Sequence, residues 1–296
     1  MRLAPKSRAN AVEGPTPSRA AGAVRYVALL ALALGLTPAT ASDKSADTLT
    51  VVTLNLWHDQ RDWPKRLSVI LPELRRLKPD VLCLQEVLQH ENLRNQAQTL
   101  ADSLGCHFEF ASVDSVESAK RYGNAVLTPH KVLASGTRNL EPKDDYRVVA
   151  HIRFEWRGRA VDAYSTHLHH TKEGGAIRAT QIRHLLAYVD STRGDGPLVL
   201  AGDFNAEPGT PEMELLKPRY VSAFRAVHPK ATRDEAATYN KRFGPDPGQI
   251  DHIFTESKGR NRLRPVASEV LFRSPGPDSV WATDHFGLAA KLASER

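Results

Sequence analysis

The sequence predicts an α/β protein with a layered fold, and three observations support that prediction. Short aliphatic runs that are typical of strands alternate along the chain with longer amphipathic runs that are typical of helices. At 296 residues the chain is long enough to bury a sizeable core in one large or two small domains, and it shows no internal repeat. The buried run at 198–201 is followed at once by Asp203 and Asn205, which puts polar side chains at the end of a core strand.

The first 41 residues have the pattern of an export signal. Five Lys and Arg residues precede a ten-residue apolar run at 27–36, and an A-x-A cleavage site stands directly before Ser42. The run is too short to span a bilayer, which needs about 20 residues; a retained anchor is the alternative. We expect export to the periplasm or the extracellular space. The predicted organisation is a signal peptide at 1–41, a short linker at 42–48 and a folded domain at 49–296.

Charge and cysteine content argue against two classes of protein, basic nucleic-acid binders and disulfide scaffolds. The whole chain has 40 Lys and Arg and 34 Asp and Glu residues, for a net charge of +6. The predicted signal holds five of those bases and one of the acids, so 35 bases and 33 acids remain and the net charge is +2. Composition therefore gives little support for a nucleic-acid partner. We expect Cys83 and Cys106 to be two buried thiols rather than a bridge.

The first half of the domain is predicted to form two strand–helix units. The strands are apolar runs that deliver Asn55 and Glu86 near their ends. Asp62 before a Trp-Pro pair is typical of a helix N-cap, and Gly105 is typical of the residue that follows a helix. The predicted elements are a strand at 49–56, a helix at 63–77, a strand at 80–86 and a helix at 91–104.

The second half is predicted to begin with antiparallel strands and to end with strands that flank a loop-rich segment. Arg157-Gly158 predicts a tight turn between two of these strands. The predicted elements are strands at 106–111, 123–127, 147–156 and 160–167, a helix at 176–189, and strands at 198–201, 249–255 and 283–292.

Polar residues at the ends of these strands are the candidate site. Any one of them could simply face solvent, and an Asp-x-Asn pair also favours a turn. Together they supply the oxygen and imidazole groups that bind metals and phosphates. It is therefore a poor explanation that all of them stand at strand ends by chance. The candidates are Asn55, Glu86, His167, Asp203, Asn205, Asp251, Asp284 and His285.

Seven short motifs in this order resemble the endonuclease/exonuclease/phosphatase superfamily. They are TLN at 53–55, LQE at 84–86, GNA at 123–125, STHL at 165–168, GDFN at 202–205, IDHI at 250–253 and TDH at 283–285. The resemblance covers nearly the whole domain. It implies a four-layer α/β sandwich, with two mixed β-sheets packed face to face and helices on the outside. It also implies a hydrolase in which water attacks a phosphodiester in line, with help from Mg²⁺; together with the predicted export signal, this makes the expected protein a secreted phosphoesterase.

The resemblance assigns the metal to three residues. Glu86 would be the principal ligand, since a hard divalent ion prefers carboxylate oxygen. Asn55 would add an amide oxygen, directly or through water, and Asp284 would be a further ligand or lie behind the ligands. Mn²⁺ or Ca²⁺ could take the place of Mg²⁺.

The resemblance assigns proton transfer to a second group. His285 would be the general base, with Asp251 holding its other ring nitrogen. Asp203 would lie beside the nucleophilic water, and the base role is open between Asp203 and His285. Asn205 would donate to a phosphate oxygen.

Three more residues are expected near the phosphate. His167 would bind phosphate and protonate the leaving oxygen, and Arg147 would contact phosphate unless it forms a surface salt bridge. Asn124 would bind substrate or hydrogen-bond within the core. Deoxyribonuclease-type relatives place an acid before the strand at 123, and the basic and aromatic run at 120–122 puts a partner for His167 in doubt.

Substrate choice is expected to depend on the loops at 169–175, 241–248 and 273–281. A nuclease-type phosphodiesterase ranks first. A sphingomyelinase-type lipid phosphodiesterase ranks second because no apolar hairpin for a membrane surface is evident. A small-molecule phosphatase and a non-catalytic binding module of the same fold are the remaining alternatives. The expected partner is a phosphodiester in nucleic acid or phospholipid, and we expect a monomer with no stable protein partner.

Overall fold

A computed structural model describes residues 48–259 and 261–294. The predicted signal peptide and nearly all of the predicted linker lie outside these residues, and the first strand begins at the last linker residue, Thr48. None of the described helices has the length and the apolar character to cross a membrane.

Two six-stranded sheets form the centre of the domain, with strands numbered along the chain. The first sheet has the order β11-β12-β1-β2-β4-β3 and the second has the order β5-β6-β7-β8-β10-β9. The first contains β1 (Thr48–Asn55), β2 (Val81–Gln89), β3 (His107–Ser112), β4 (Arg121–Thr128), β11 (Leu263–Val270) and β12 (Leu288–Ser294). The second contains β5 (Val132–Asn139), β6 (Val148–Trp156), β7 (Arg159–His167), β8 (Leu198–Asp203), β9 (Tyr220–Ser222) and β10 (Asp251–Glu256).

Each sheet is mixed because it contains one parallel pair. β1 is parallel to β2 and β7 is parallel to β8, while the other strand pairs are antiparallel. A helix connects the two strands of each parallel pair, as such a connection requires. The helices are α1 (Trp63–Leu77), α2 (Gln96–Leu104), α3 (Gly175–Thr192), α4 (Ala223–Val227) and α5 (Arg233–Ala236).

Three groups of buried apolar side chains separate four layers. One lies between the sheets, a second under α1 and α2, and a third under α3. Strand alternation sorts residues among them: Val51 of β1 joins the central group and Val52 joins the group under α1. The predicted four-layer α/β sandwich is therefore confirmed.

The parallel pair β7–β8 depends on a glycine at the site end. Gly202 has a φ of +148°, and a Cβ there would lie 2.0 Å from the carbonyl oxygen of Thr166 on β7. Any side chain would therefore push the two strands apart. This close approach puts His167 and Asp203 opposite each other at the ends of their strands.

Several predicted boundaries are wrong for identifiable reasons. The helix predicted at 91–104 begins only after the N-cap Asn95. The strand predicted at 283–292 begins at Leu288, which leaves Asp284 and His285 in the preceding loop. β5 and β11 were not predicted because they are largely exposed and lack a clear apolar alternation, and β11 also carries Pro265 beside a bulge.

The cysteines are both free thiols, as predicted. Cys83 is buried between the sheets and Cys106 is partly exposed, so the expectation that both are buried holds for Cys83 only.

Candidate active site

The predicted site residues meet at one edge of the sandwich because of strand direction. β1, β7 and β8 end at this edge, and β10 begins there because it is antiparallel to β8, with Asp251 opposite Asp203. The loop before β12 reaches the same edge because β12 is antiparallel to β1. The edge forms a cleft of about 1290 Å³ lined by Glu86, His167, Asp203, Asn205, His285 and neighbouring residues.

Asp203 is the centre of this arrangement and is 1% exposed. Its Oδ2 accepts a hydrogen bond from Asn55 Nδ2 at 3.1 Å, which links the two sheets. The same oxygen lies 3.5 Å from His167 Nε2 and 3.8 Å from His285 Nε2. Its Oδ1 accepts from the backbone N–H of Asn205 at 2.9 Å. One carboxylate therefore touches residues from three other segments of the site.

His285 and Asp251 form the predicted dyad. Nδ1 of His285 lies 2.8 Å from Oδ2 of Asp251, and both side chains are buried. Burial opposes the charged imidazole, but the negative charges of Asp251 and Asp203 raise the pKa of His285 well above its usual value. Burial raises the pKa of Asp203 to about 7, and the charge of Asp251 adds to this effect. The charges of Asp203 and His285 are therefore interdependent, since each lies within reach of the other.

Glu86 is held in an unusual backbone conformation. It has a φ of +54° and sits where the pairing of β2 with β4 shifts register, between Leu84 and Val87. A left-handed conformation at a non-glycine residue costs about 1 kcal/mol or more. β2 continues past this bulge to Gln89, so Glu86 does not end the strand as predicted. The bulge instead turns its carboxylate into the cleft.

Asn55 orients carboxylates in this structure. Its Nδ2 donates to Glu86 Oε1 at 3.2 Å and to Asp203 Oδ2, while its Oδ1 accepts from the Trp57 N–H at 2.9 Å. The amide oxygen thus faces the backbone rather than Glu86, and metal ligation by Asn55 stays a prediction. Burial raises the pKa of Asp284, and the nearby negative charge of Glu86 raises it further.

His167 lies in the cleft with Asp203 beside its Nε2 and no acid beside its Nδ1 among the described residues. Its Nδ1 is buried without a hydrogen-bond partner there, which agrees with the basic and aromatic run at 120–122. Burial lowers the pKa of His167 well below its usual value, and the charges of Arg147 and His285 lower it further. His167 is therefore a neutral imidazole at pH 7.

Arg147, Asn205 and Asn124 differ in how they relate to the cleft. Arg147 lines it and also forms the salt bridge that the sequence left open, with its Nε 3.6 Å from Asp145 Oδ2. Asn205 also lines it with a φ of +49°, and its Nδ2 donates to the Leu168 carbonyl at 3.0 Å. Asn124 is 2% exposed and donates to the Val148 carbonyl at 2.8 Å, which fits the core role that the sequence left open.

Three residues near the site were missed by the sequence analysis. His58 Nε2 lies 3.7 Å from Glu86 Oε2, Tyr122 lines the cleft, and the ring of Tyr239 lies 5.2 Å from that of His285. His58 follows Asn55 by three residues, and that spacing is the available signal. Of the three predicted specificity loops, those at 169–175 and 241–248 line the cleft and approach each other through Lys172 and Asp246. Within the part of the chain that the structure describes, the third loop contributes no residue to the cleft lining.

The protein has two stacked mixed sheets, and a cleft at their shared edge gathers carboxylates, amides and imidazoles. These features place it in the class of phosphoester hydrolases. The chain belongs to the Endonuclease/Exonuclease/phosphatase family, whose family model matches residues 52–285. The resemblance drawn from the sequence motifs is therefore confirmed.

Curated relatives cover different shares of the chain. Protein angel of Drosophila melanogaster is 27% identical over 266 residues, which span 79% of this chain and 73% of the relative. Nocturnin of Drosophila melanogaster is 29% identical over 269 residues, which span 76% of this chain but 41% of the relative. Protein angel homolog 2 of Bos taurus is 30% identical over 173 residues, which span 52% of this chain and 31% of the relative. The last two are much longer than the region matched.

Solved structures share the fold at low identity. TDP2 of D. rerio, complexed with a single-strand DNA product, has a TM-score of 0.70 at 17% identity and covers 83% of this chain and 98% of its own. ANGEL2, described as a 2′,3′-cyclic phosphatase, has a TM-score of 0.68 at 20% identity and covers 83% and 95%.

Proposed function

We propose that the chain is a divalent-metal-dependent phosphodiesterase that acts on nucleic acid by direct attack of water. The observation that carries this proposal is the meeting of Glu86, Asp203, His167 and the His285–Asp251 dyad in one cleft. These residues come from both sheets and from segments far apart in sequence, and no packing requirement explains their convergence.

The donor set fits a hard divalent cation. Glu86 and Asp284 are both carboxylates, and the negative charge of Glu86 adds to burial in raising the pKa of Asp284. A cation bound between them would relieve this repulsion. Glu86 would hold the ion, with Asp284 beside it. When bound, Mg²⁺ or Mn²⁺ would neutralise charge on the phosphate.

Asp203 is our candidate for the general base. With a pKa of about 7 it is ionised in a large fraction of molecules at neutral pH, and it still accepts a proton readily. His285 has a raised pKa and is therefore protonated when Asp203 is ionised. The imidazolium would hold the attacking water and stabilise negative charge that develops on the phosphate.

Three side chains would bind the phosphate. Neutral His167, with Asp203 beside its Nε2, and the guanidinium of Arg147, with Asp145 beside its Nε, both face the cleft and would offer N–H groups to the phosphate. Asn205 keeps one amide hydrogen free after its bond to Leu168. Each of these donors would form a charge-assisted hydrogen bond to a phosphate oxygen.

Nucleic acid is favoured over phospholipid by the residues at the cleft margin. Tyr146 is 67% exposed and lines the cleft beside Arg147, where it can stack on a base. Lys120 adds positive charge at the same cleft. Exposed large apolar residues elsewhere in the described chain are few and scattered, unlike a membrane-inserting surface. The fold shared with TDP2, which binds a single-strand DNA product, supports this choice.

One substrate panel tests the proposal. Plasmid DNA, RNA, sphingomyelin and inositol phosphates would each be incubated with the protein, with and without EDTA. We expect EDTA-sensitive cleavage of DNA or RNA. Hydrolysis of sphingomyelin alone, or of inositol phosphates alone, would replace the nucleic-acid assignment. No hydrolysis of any of them, or of bis-p-nitrophenyl phosphate, by folded protein would favour a binding module.

We also propose that the protein is exported after cleavage before Ser42, on the sequence pattern alone. N-terminal sequencing of the mature protein tests this, and an intact N-terminus on protein recovered from its native source would contradict it.

A further inference from the structure

The loop that follows β1 has a strained backbone. Trp57 has a φ of +53°, His58 of +34° and Arg61 of +61°, although none of them is glycine. Each left-handed residue costs about 1 kcal/mol or more. Such conformations persist only where surrounding structure enforces them, and they concentrate at functional sites.

A buried arginine enforces this conformation. Arg66 on α1 is 1% exposed, and its guanidinium donates to the carbonyl of Leu56 at 2.6 Å, of Gln60 at 2.9 Å and of Ala282 at 3.1 Å. It also donates to the carbonyls of Trp57 and His58. The guanidinium therefore fixes the loop and ties it to the segment just before the TDH motif.

The strained loop presents the imidazole of His58 to the principal metal candidate. Its Nε2 lies 3.7 Å from Glu86 Oε2, and its Nδ1 lies 3.3 Å from Asp59 Oδ1. A carboxylate on one ring nitrogen fixes the tautomer and leaves the other nitrogen as an electron-pair donor, which is the usual arrangement around metal-binding histidines. Asp59 is itself held by His90 Nε2 at 3.2 Å.

We propose that His58 is a nitrogen ligand of the cation held by Glu86, and that the site therefore prefers Mn²⁺, Co²⁺ or Zn²⁺ to Mg²⁺. This inference rests on the proposed metal site. Mg²⁺ takes oxygen ligands, whereas these transition metals also accept imidazole. The strained loop, the Arg66 contacts and the Asp59–His58 pair all serve one result, a ring nitrogen aimed at Glu86.

Pulsed electron paramagnetic resonance of the Mn²⁺-loaded full chain tests this. We expect spin-echo modulation from a directly bound imidazole nitrogen in the wild type and its loss in His58→Gln. His90→Gln is the matched control, since His90 also contacts Asp59 but its ring nitrogens contact Asp59 and the Asn92 N–H rather than Glu86. Calorimetric titration should show Mn²⁺ affinity falling about tenfold or more in His58→Gln, with Mg²⁺ affinity little changed.

Each other outcome would overturn the inference. Suppose that Mn²⁺ binds to the wild type without nitrogen modulation and that Glu86→Gln abolishes this binding. That result would overturn the assignment of His58 as a ligand and leave the proposed function standing. Modulation that survives in His58→Gln would assign the nitrogen to another histidine. Absence of any Mn²⁺ binding would contradict both this inference and the proposed metal site. Thermal unfolding of each variant checks that it is folded.

Discussion

The two ends of the parallel pair β7–β8 both bury an aspartate beside a histidine, yet only one end is a candidate active site. At the far end, Asp162 of β7 lies opposite Leu198, where β8 begins, and contacts His151. At the cleft end, Asp203 closes β8 and lies beside His285. Both aspartates are almost fully buried. Residue type and burial therefore do not separate the two ends.

The far end satisfies its carboxylate completely. Asp162 Oδ1 lies 2.7 Å from His151 Nε2 and accepts from Arg153 Nε at 3.0 Å, while Oδ2 accepts from the Gly194 N–H at 2.9 Å. Burial alone would raise its pKa, but these hydrogen bonds and the charge of Arg153 lower the pKa below the usual value. This cluster has the properties of a group that stabilises the fold and does not react.

The cleft end buries two carboxylates that accept fewer hydrogen bonds than Asp162 does. Asp203 has a raised pKa, it stands near a second buried carboxylate, and Oδ1 of Asp251 has no hydrogen-bond partner. No arginine neutralises Asp203 as Arg153 neutralises Asp162 among the contacts recorded for the described residues. The comparison teaches that hydrogen bonds to the carboxylate and a neutralising arginine, rather than residue type or burial, separate a stabilising aspartate from a reactive one.

The largest expected effect is on turnover at the cleft end. His285→Ala and Glu86→Ala should each reduce hydrolysis of bis-p-nitrophenyl phosphate by about 10³-fold or more, because they remove acid–base or metal-binding groups. Circular dichroism and thermal unfolding should show a folded protein. A rate near that of the wild type in either variant would refute the role given to that residue.

At the far end the same kind of change should affect stability instead. Asp162→Asn leaves Arg153 without its carboxylate, so the free energy of unfolding should fall by about 3 kcal/mol. Urea unfolding measures this change. The turnover number per folded molecule should stay within about twofold of the wild type, and a large loss would mean that the two ends are coupled.

The two aspartates should give opposite pH dependences of stability in EDTA. Asp203 has a folded pKa above the unfolded value of about 3.9, so its ionisation costs stability as the pH rises towards and above 7. Asp203→Asn should therefore be inactive but more stable than the wild type at pH 8, by about 1 kcal/mol. The two proteins should converge below about pH 4.

Asp162 has a lowered folded pKa, so it contributes stability above about pH 4 and loses it as the pH falls through the folded pKa. Urea unfolding of Asp162→Asn against the wild type at pH 3 and pH 7 should show a smaller difference at the acidic pH. A difference that does not depend on pH would show that the charge of Asp162 is not what stabilises the fold.

The smallest expected effect concerns phosphate binding. Arg147→Gln should reduce kcat/KM for a DNA or RNA substrate by about tenfold, the loss of one hydrogen bond to a charged group. Arg138→Gln, on β5 and stacked on Tyr188, is the matched control and should leave kcat/KM unchanged. Equal effects of the two substitutions would indicate a general loss of positive charge.

The sequence reveals residues that stand next to a clear local pattern. Asn55 and Asp203 were found because each closes a run of buried residues, and Asp284 and His285 were found because they stand at one end of a predicted strand. The role of Arg66 was not found, because an arginine on an amphipathic helix normally faces solvent. One of the carbonyls it binds belongs to Ala282, which is 216 residues away in the chain. The bulge at Glu86 was missed because it depends on pairing with β4.

One measurement tests the central claim most directly: hydrolysis of bis-p-nitrophenyl phosphate, with Mg²⁺ and separately with Mn²⁺, by the wild type, His285→Ala and Asp162→Asn, each normalised to its folded fraction. We expect the wild type and Asp162→Asn to turn over at similar rates that EDTA abolishes, and His285→Ala to be inactive. Activity in His285→Ala, or a folded wild type that hydrolyses nothing, would contradict the assignment of the cleft as a phosphodiesterase site.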